Sequence, residues 1–251
     1  MIGDFRVAIP ARYGSSRLPG KPLLSLGDRC VLQHVYERAA ASGAGEVVIA
    51  TDDQRIRSVA EGFGASVCMT RSDHASGTER LAEASRLLDW PEDAVVVNLQ
   101  GDEPLTPPAL LRQVAQALMA QPEASMASLC TPITEAGEMH DPHVVKVVRD
   151  AQDFALYFSR APIPWERDAL GMETDPSHGQ CFRHLGIYGY RVGYLRSLAT
   201  AAPSPLEQAE RLEQLRALWH GARIHVPTAI ERPGPGIDTA DDLTAVRARL
   251  G

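Results

Sequence analysis

Three cations stand close together in the stretch Pro10-Ala11-Arg12-Tyr13-Gly14-Ser15-Ser16-Arg17-Leu18-Pro19-Gly20-Lys21-Pro22, with two glycines and two serines among them. Glycines let backbone N–H groups come close to an anion. Arginine grips phosphate oxygens in pairs, and lysine adds a compact charge. The composition fits a polyphosphate cradle; the competing reading is a solvated basic surface loop. It is not a Walker-type P-loop. The run from Gly14 to Gly20 is one residue too long, and Pro22 stands where that motif needs a magnesium-binding Ser or Thr.

Two acidic positions suit a metal that itself binds phosphate. Asp102, in Gln100-Gly101-Asp102-Glu103-Pro104, ends an apolar run, and Asp238 follows Pro233-Gly234-Pro235-Gly236-Ile237. Magnesium favours one or two carboxylates together with phosphate oxygens and waters. An Asp at a strand end is as readily a turn residue, and Asp238 could equally cap a helix beginning near Ala240. Glu103 is the weaker ligand candidate. Asp241 and Asp242 read more simply as first-turn acids favoured by the helix dipole. Between these places lies Cys68-Met69-Thr70-Arg71-Ser72-Asp73-His74-Ala75-Ser76-Gly77-Thr78-Glu79-Arg80. Ser76 and Glu79 have capping-box spacing, and a helix start also suits a polar ligand.

These residues need a scaffold. Phe5 to Ile9, Glu46 to Ala50 and Ala94 to Leu99 are short apolar runs rich in Val and Ile, which predict buried strands. Val31 to Ala41, Gln54 to Phe63, Gly77 to Leu88 and a stretch from Pro107-Pro108 to Met119 predict helices. This alternation implies a parallel sheet flanked by helices, whose ligands sit beyond the carboxyl ends of the strands. After about Ser125 the pattern changes. Ala127 to Pro132, Val144 to Arg149, Phe154 to Ser159 and Phe182 to Tyr190 predict mixed or antiparallel strands. Pro162 to Gln180 reads as a long loop, Leu206 to Trp219 and Ala240 to Leu250 as helices, and Arg223 to Ile230 as a strand.

The bounds agree with an enzyme of small anions. The 251 residues suit one large α/β domain, and a formal net charge of −7 argues against a general nucleic-acid binder. An anionic ligand must then be held by a local cluster. Cys30, Cys68, Cys130 and Cys181 lack zinc-ligand spacing and read as free thiols. The N-terminus lacks a signal-peptide pattern and no run is long enough to span a bilayer, so a cytoplasmic location without membrane or nucleic-acid partners is the expectation.

The string from Pro10 to Leu23 closely resembles the nucleotide loop of the CMP-3-deoxy-manno-octulosonate synthetases, and the likeness continues in order from about Val7 to Leu250. It weakens only over Leu170 to Gln180. The fold it implies is a Rossmann-like nucleotidyltransferase (GT-A-like): a mostly parallel sheet flanked by helices, with a smaller mixed subdomain. Residues 1–124 would serve mainly the nucleotide, 125–230 the sugar and dimerisation, and 231–251 the metal loop and last helix. By this resemblance Arg12, Arg17 and Lys21 contact the triphosphate, with Pro10, Ala11 and Gly14 in the same loop. Arg71, Ser76 and Gly77 read cytosine, and Gln100 lies between nucleotide and sugar. Asp102 and Asp238 hold Mg2+, and with Arg12 and Lys21 form the catalytic set.

The sugar contacts it implies are Arg160, His184, Tyr188, Glu213 and Gln214. On residue type alone these read otherwise: a strand Tyr or a lone His as core, and Glu213 as a solvated position at the edge of the Leu206, Ala209, Leu212, Leu215, Leu218 stripe. The implied activity transfers CMP from CTP to the anomeric hydroxyl of 3-deoxy-manno-octulosonate, releasing pyrophosphate, for lipopolysaccharide assembly. The rivals are the same chemistry on an 8-amino analogue or a sialic acid, and a non-catalytic nucleotide sensor. Family members look like homodimers.

Overall fold

The computed structural model describes residues 4–14, 18–165 and 181–250. Residues 166–180 of the expected long loop and the candidate Arg17 lie outside them.

The first half alternates as its sequence predicts. β1 (Phe5–Ala11), β4 (Glu46–Thr51), β5 (Ser66–Met69) and β6 (Val95–Asn98) are parallel in the order β6-β1-β4-β5. α1 (Val31–Ala40), α2 (Gln54–Gly62), α3 (Gly77–Leu87) and α4 (Pro108–Met119) connect them and lead on from β6. Successive residues of a strand point to opposite faces, and here both faces are buried. Val7, Ile9, Ile49 and Val97 pack with Leu32, Leu110 and Leu111 of α1 and α4. Ala8, Val48, Ala50 and Val96 pack on the other face with Leu81 of α3. Each buried Val, Ile or Leu among them stabilises the fold by about 1.5–3 kcal/mol.

The second half extends the same sheet. β7 (Met126–Pro132), β8 (Lys146–Arg149), β9 (Ala155–Ser159) and β10 (Phe182–Arg191) follow. β10 runs antiparallel to β6, β7 and β8, so it joins the halves. β11 (Ile224–His225) closes the order β11-β7-β10-β6-β1-β4-β5. A small hairpin of β2 (Ser25–Leu26) and β3 (Arg29–Cys30) packs separately: Leu26 and Val31 bury Ile237, Leu243 and Val246. This third cluster ties α9 (Ala240–Leu250) to the chain just after Lys21. Cys30, Cys68 and Cys130 are free thiols.

Three expectations are corrected. The strand expected over Arg223 to Ile230 pairs regularly only at Ile224 and His225, with one bridge at Thr228. Pro227 has no N–H to give a ladder. The helix expected from Leu206 to Trp219 is two, α7 (Pro205–Glu210) and α8 (Gln214–Trp219). Ser204 and Glu207 form a capping box that starts α7, and Arg211, left-handed at φ 55°, ends it. Two short helices also went unforeseen, α5 (Ala136–His140) and α6 (Val192–Leu198), the latter directly after β10.

Candidate active site

Because β1 and β6 are neighbouring parallel strands, Pro10 and Gln100 lie together at the carboxyl end of the sheet. Gly101 permits the approach: a Cβ there would stand 3.0 Å from the Pro10 carbonyl oxygen. The loop after β1 doubles back, with the Gly20 N–H donating to the Tyr13 carbonyl at 3.0 Å. Gly20 has φ +70°, a left-handed conformation that disfavours other residues, and a Cβ there would press on the Tyr13 ring at 3.1 Å. A 3-10 turn over Lys21–Leu23 follows, with Pro22 in its first turn.

That turn buries Lys21 and aims its ammonium at two loops. Nζ donates to Asp102 Oδ2 at 2.7 Å, to the Ile237 carbonyl at 2.7 Å and to Asp238 Oδ1 at 3.2 Å. Residues from the two ends of the chain thus share one point. The cap of α9 is supplied elsewhere: Asp242 Oδ2 accepts from the Asp238 and Thr239 N–H groups, and Thr239 Oγ1 accepts from the Asp242 N–H. Asp238 is therefore not the capping side chain, and Asp242 is more than a first-turn acid. Glu103 beside them is pushed up to about 7 by burial and then by the Asp102 and Asp238 charges.

A cleft of about 250 Å³ opens here. Pro10, Ala11 and Arg12 line one wall, Ser76 and Gly77 another, and Lys21, Gln100, Asp102 and Asp238 its floor and rim. Ser76 caps α3, accepting from the Glu79 N–H at 3.2 Å, while Glu79 accepts from Ala75 rather than from Ser76 as a strict capping box would have it. Five lining residues were not among the expected site residues, Pro22, His74, Ala75, Arg80 and Gly101, and of these His74 and Arg80 have ionisable side chains. His74 is hydrogen-bonded to Glu83, which also accepts from the Arg71 N–H at 3.0 Å. Burial pushes the Glu83 carboxyl up, but these bonds outweigh it and hold the group below its usual range. Arg80 is buried against Asp52 at 3.0 Å and Thr70 at 2.6 Å. Its place four residues after Ser76, on the same helix face, was the available signal.

The cleft is not lined by Gly14, Arg71, Arg160, His184, Tyr188, Glu213 or Gln214. The Arg71 guanidinium pairs in solvent with Asp73 at 3.2 Å. Arg160 donates to the Glu210 carbonyl at 2.7 Å and the Pro142 carbonyl at 2.8 Å, which ties the end of β9 to α7. Glu213 reaches the cleft wall directly: Oε1 accepts from Ser76 at 3.0 Å and Oε2 from Thr78 at 3.1 Å. Burial raises its carboxyl despite those bonds. The reading of Glu213 as a solvated helix face is thus corrected; the break at Arg211 turns it inward. Gln214 is buried next to it.

Tyr188 lies opposite Asn98 in the β10–β6 register, and Asn98 Oδ1 accepts from Gln100 at 3.3 Å. The His184 ring is 5.4 Å from the Tyr188 ring and 4.8 Å from that of Phe158. Burial pushes His184 down to about 3 and Tyr188 well up, so both are neutral across the physiological range. The cleft thus carries charged side chains, whereas the buried His184 and Tyr188, outside its lining, are neutral.

The donor set fits a hard divalent cation. Two carboxylate groups face one cationic point, and magnesium takes one or two carboxylates while keeping positions for phosphate and water.

A sequence model of the family described as Cytidylyltransferase matches residues 7–224. A 3-deoxy-manno-octulosonate cytidylyltransferase of Thioalkalivibrio sulfidiphilus is 59% identical, with 98% of this chain and 99% of that one covered. One from Coxiella burnetii is 54% identical at 98% and 99% coverage. Among solved structures, a CMP:2-keto-3-deoxy-manno-octonic acid synthetase complexed with CTP superposes with TM-score 0.89 at 42% identity, covering 99% of this chain and 98% of that one. A 4-diphosphocytidyl-2C-methyl-D-erythritol synthase, 14% identical with TM-score 0.62 over 99% of this chain and all of its own, shares the fold. The chain belongs to the cytidylyltransferase family, among the 3-deoxy-manno-octulosonate cytidylyltransferases.

Proposed function

We propose that this chain transfers CMP from CTP to the anomeric hydroxyl of 3-deoxy-manno-octulosonate, giving the CMP-sugar and pyrophosphate. The observation that carries the reading is Lys21 between Asp102 and Asp238 at the floor of a cleft walled by Arg12 and Ser76. Cations for a polyphosphate and carboxylates for its metal stand at one point.

The new bond joins the anomeric oxygen to the α-phosphorus, while the α-phosphorus–oxygen bond to pyrophosphate breaks and the hydroxyl proton passes to solvent. Asp102 and Asp238 would hold Mg2+, which when bound supplies positive charge to the phosphate oxygens as a Lewis acid. Arg12, Arg17 and Lys21 bind and orient the triphosphate, with Pro10, Ala11 and Gly14 shaping the loop. Arg71, Ser76 and Gly77 read the base. Arg160, His184, Tyr188, Glu213 and Gln214 hold the sugar, with Gln100 between the substrates. Positioning and fixed charge do most of the work; no covalent enzyme intermediate is needed. Residues 1–124 serve the nucleotide, 125–230 the sugar and a homodimer contact, and 231–251 the metal loop. The protein acts in the cytoplasm, and its product feeds lipopolysaccharide assembly. No helix among the described residues is long and apolar enough to cross a membrane.

The test is pyrophosphate release from CTP and magnesium, with and without the octulosonate, with ATP, GTP and UTP alongside. Release that needs both CTP and this sugar supports the reading. Release with a sialic acid or an 8-amino analogue in its place would keep the nucleotide side and overturn the sugar.

A further inference from the structure

β7 and β10 pair in register from Phe182 opposite Pro132 to Leu185 opposite Leu129, then again from Gly189 opposite Ala127. Between these stretches β10 bulges away. A bulge leaves backbone groups unpaired, and Ser128 of β7 fills the gap. It is fully buried. Its Oγ lies 2.8 Å from the Leu185 carbonyl oxygen, 2.9 Å from the Ile187 carbonyl oxygen and 2.8 Å from His184 Nε2.

These three contacts constrain the proton on the imidazole. A serine hydroxyl has one hydrogen and two lone pairs, and a carbonyl oxygen can only accept. If the hydroxyl hydrogen went to His184, both carbonyl oxygens would face bare lone pairs of Oγ in a buried site. If instead Nε2 carries the hydrogen, Oγ accepts from the ring and gives its own hydrogen to the carbonyls. Only the second arrangement leaves no buried carbonyl facing Oγ without a share in a hydrogen.

We propose that Ser128 is a positioning residue: it holds His184 in the Nε2–H tautomer, so that Nδ1 presents a lone pair to a hydroxyl of the acceptor sugar. This rests on the reading of His184 as a sugar contact. The hydrogen on one ring nitrogen of a histidine is set by the bond that nitrogen makes. Ser128 is the one hydrogen-bonding partner of the His184 ring among the described residues. The ring is wedged between Phe158 and Tyr188, so it cannot turn to exchange its nitrogens without disturbing both. Tyr188 sits opposite Asn98, the acceptor of Gln100 at the cleft, which puts these rings beside the nucleotide site. A neutral acceptor at Nδ1 selects a hydroxyl donor there.

The experiment is a long-range proton–nitrogen correlation spectrum of protein labelled with 15N-histidine, together with steady-state kinetics. In the unsubstituted protein His184 should show Nε2 protonated and Nδ1 bare, with one tautomer from about pH 6 to about pH 8. Ser128→Ala should give mixed tautomers and raise KM for the octulosonate about fivefold to tenfold, with kcat and KM for CTP nearly unchanged. Ser128→Thr, which keeps the hydroxyl, should restore the tautomer. An Nδ1–H tautomer in the unsubstituted protein, or an unchanged one in Ser128→Ala, overturns the proposal. Should Ser128→Ala fail to fold, the spectrum of the unsubstituted protein alone decides. The predicted tautomer in a protein that turns over no octulosonate overturns the functional reading, and the sugar contact with it, while the Ser128–His184 bond stands.

Discussion

The cleft wall proposed for the nucleotide and the buried groups proposed for the sugar are made of different materials. The cleft wall has four charged groups on loops and a short 3-10 turn between the regular elements: Arg12, Lys21, Asp102 and Asp238. Of the groups proposed for the sugar, three sit inside a strand or at a helix start and carry no charge: His184 and Tyr188 on β10, Gln214 at the start of α8. The contrast follows from the ligands proposed. A triphosphate with its metal needs fixed charge where water can leave and return. A polyol needs hydrogen-bonding groups that are already desolvated and held in place. Glu213 stands at the join, a buried carboxyl that takes hydroxyl bonds from Ser76 and Thr78 of the nucleotide wall.

The comparison can be broken from the charged side first. Lys21→Met leaves Asp102 and Asp238 facing each other without the ammonium between them. Turnover at saturating CTP should fall about 100- to 1000-fold, and a loss within about tenfold would deny the charged wall its role. At the join, Glu213→Gln keeps the shape but weakens two charge-assisted bonds. KM for the octulosonate should rise about tenfold to 100-fold, and KM for CTP should rise with it, though less. A change in neither would mean that the two sets of groups are independent.

The neutral groups make a prediction about acid. His184 titrates near 3 when folded, below its ordinary 6.5. Between those values the unfolded chain binds a proton that the folded chain refuses. Stability therefore rises with pH through this window, is fully present above 6.5 and is lost as the pH falls toward 3. His184→Gln should make urea-denaturation midpoints less sensitive to pH between about 4.5 and about 7. An unchanged slope would show that the ring is not held neutral. The smallest effect concerns the scaffold. Arg216 grips both oxygens of Glu207, at 2.8 and 2.6 Å, and so holds α8 against α7. Arg216→Lys loses the paired geometry and should cost about 1–2 kcal/mol in denaturation, with turnover near normal.

The same contrast decides what could be read in advance. The loop after β1 announces itself because Gly, Arg and Lys together have few other uses in a strand-to-helix turn. Three of the four parallel strands, β1, β4 and β6, were legible because they are short apolar runs, whereas β5 (Ser66–Met69) is short and partly exposed and gave no such run. The residues proposed to hold the sugar were not legible from residue type, since His184 and Tyr188 look like core until their partners are known, and only the family likeness pointed to them. Glu213 was misread because nothing in Glu210-Arg211-Leu212 marks a helix break: Arg211 takes the left-handed conformation without being Gly or Asn. His74 precedes α3 and Arg80 lies within it, in a stretch whose Ser76 and Glu79 are explained by helix capping alone. The strand at Arg223 to Ile230 was overextended because Pro227 interrupts an otherwise apolar run.

The central claim is that Asp102 and Asp238, far apart in the chain, act at one point of one reaction. The direct measurement is turnover at saturating magnesium for Asp102→Asn, Asp238→Asn and the double variant, with the fold of each checked by circular dichroism. Groups that act as a unit are strongly non-additive. The account predicts that each single variant loses at least about 100-fold and that the double variant loses little more than the worse single. Near-normal turnover of either single variant, or losses that multiply in the double, would contradict it.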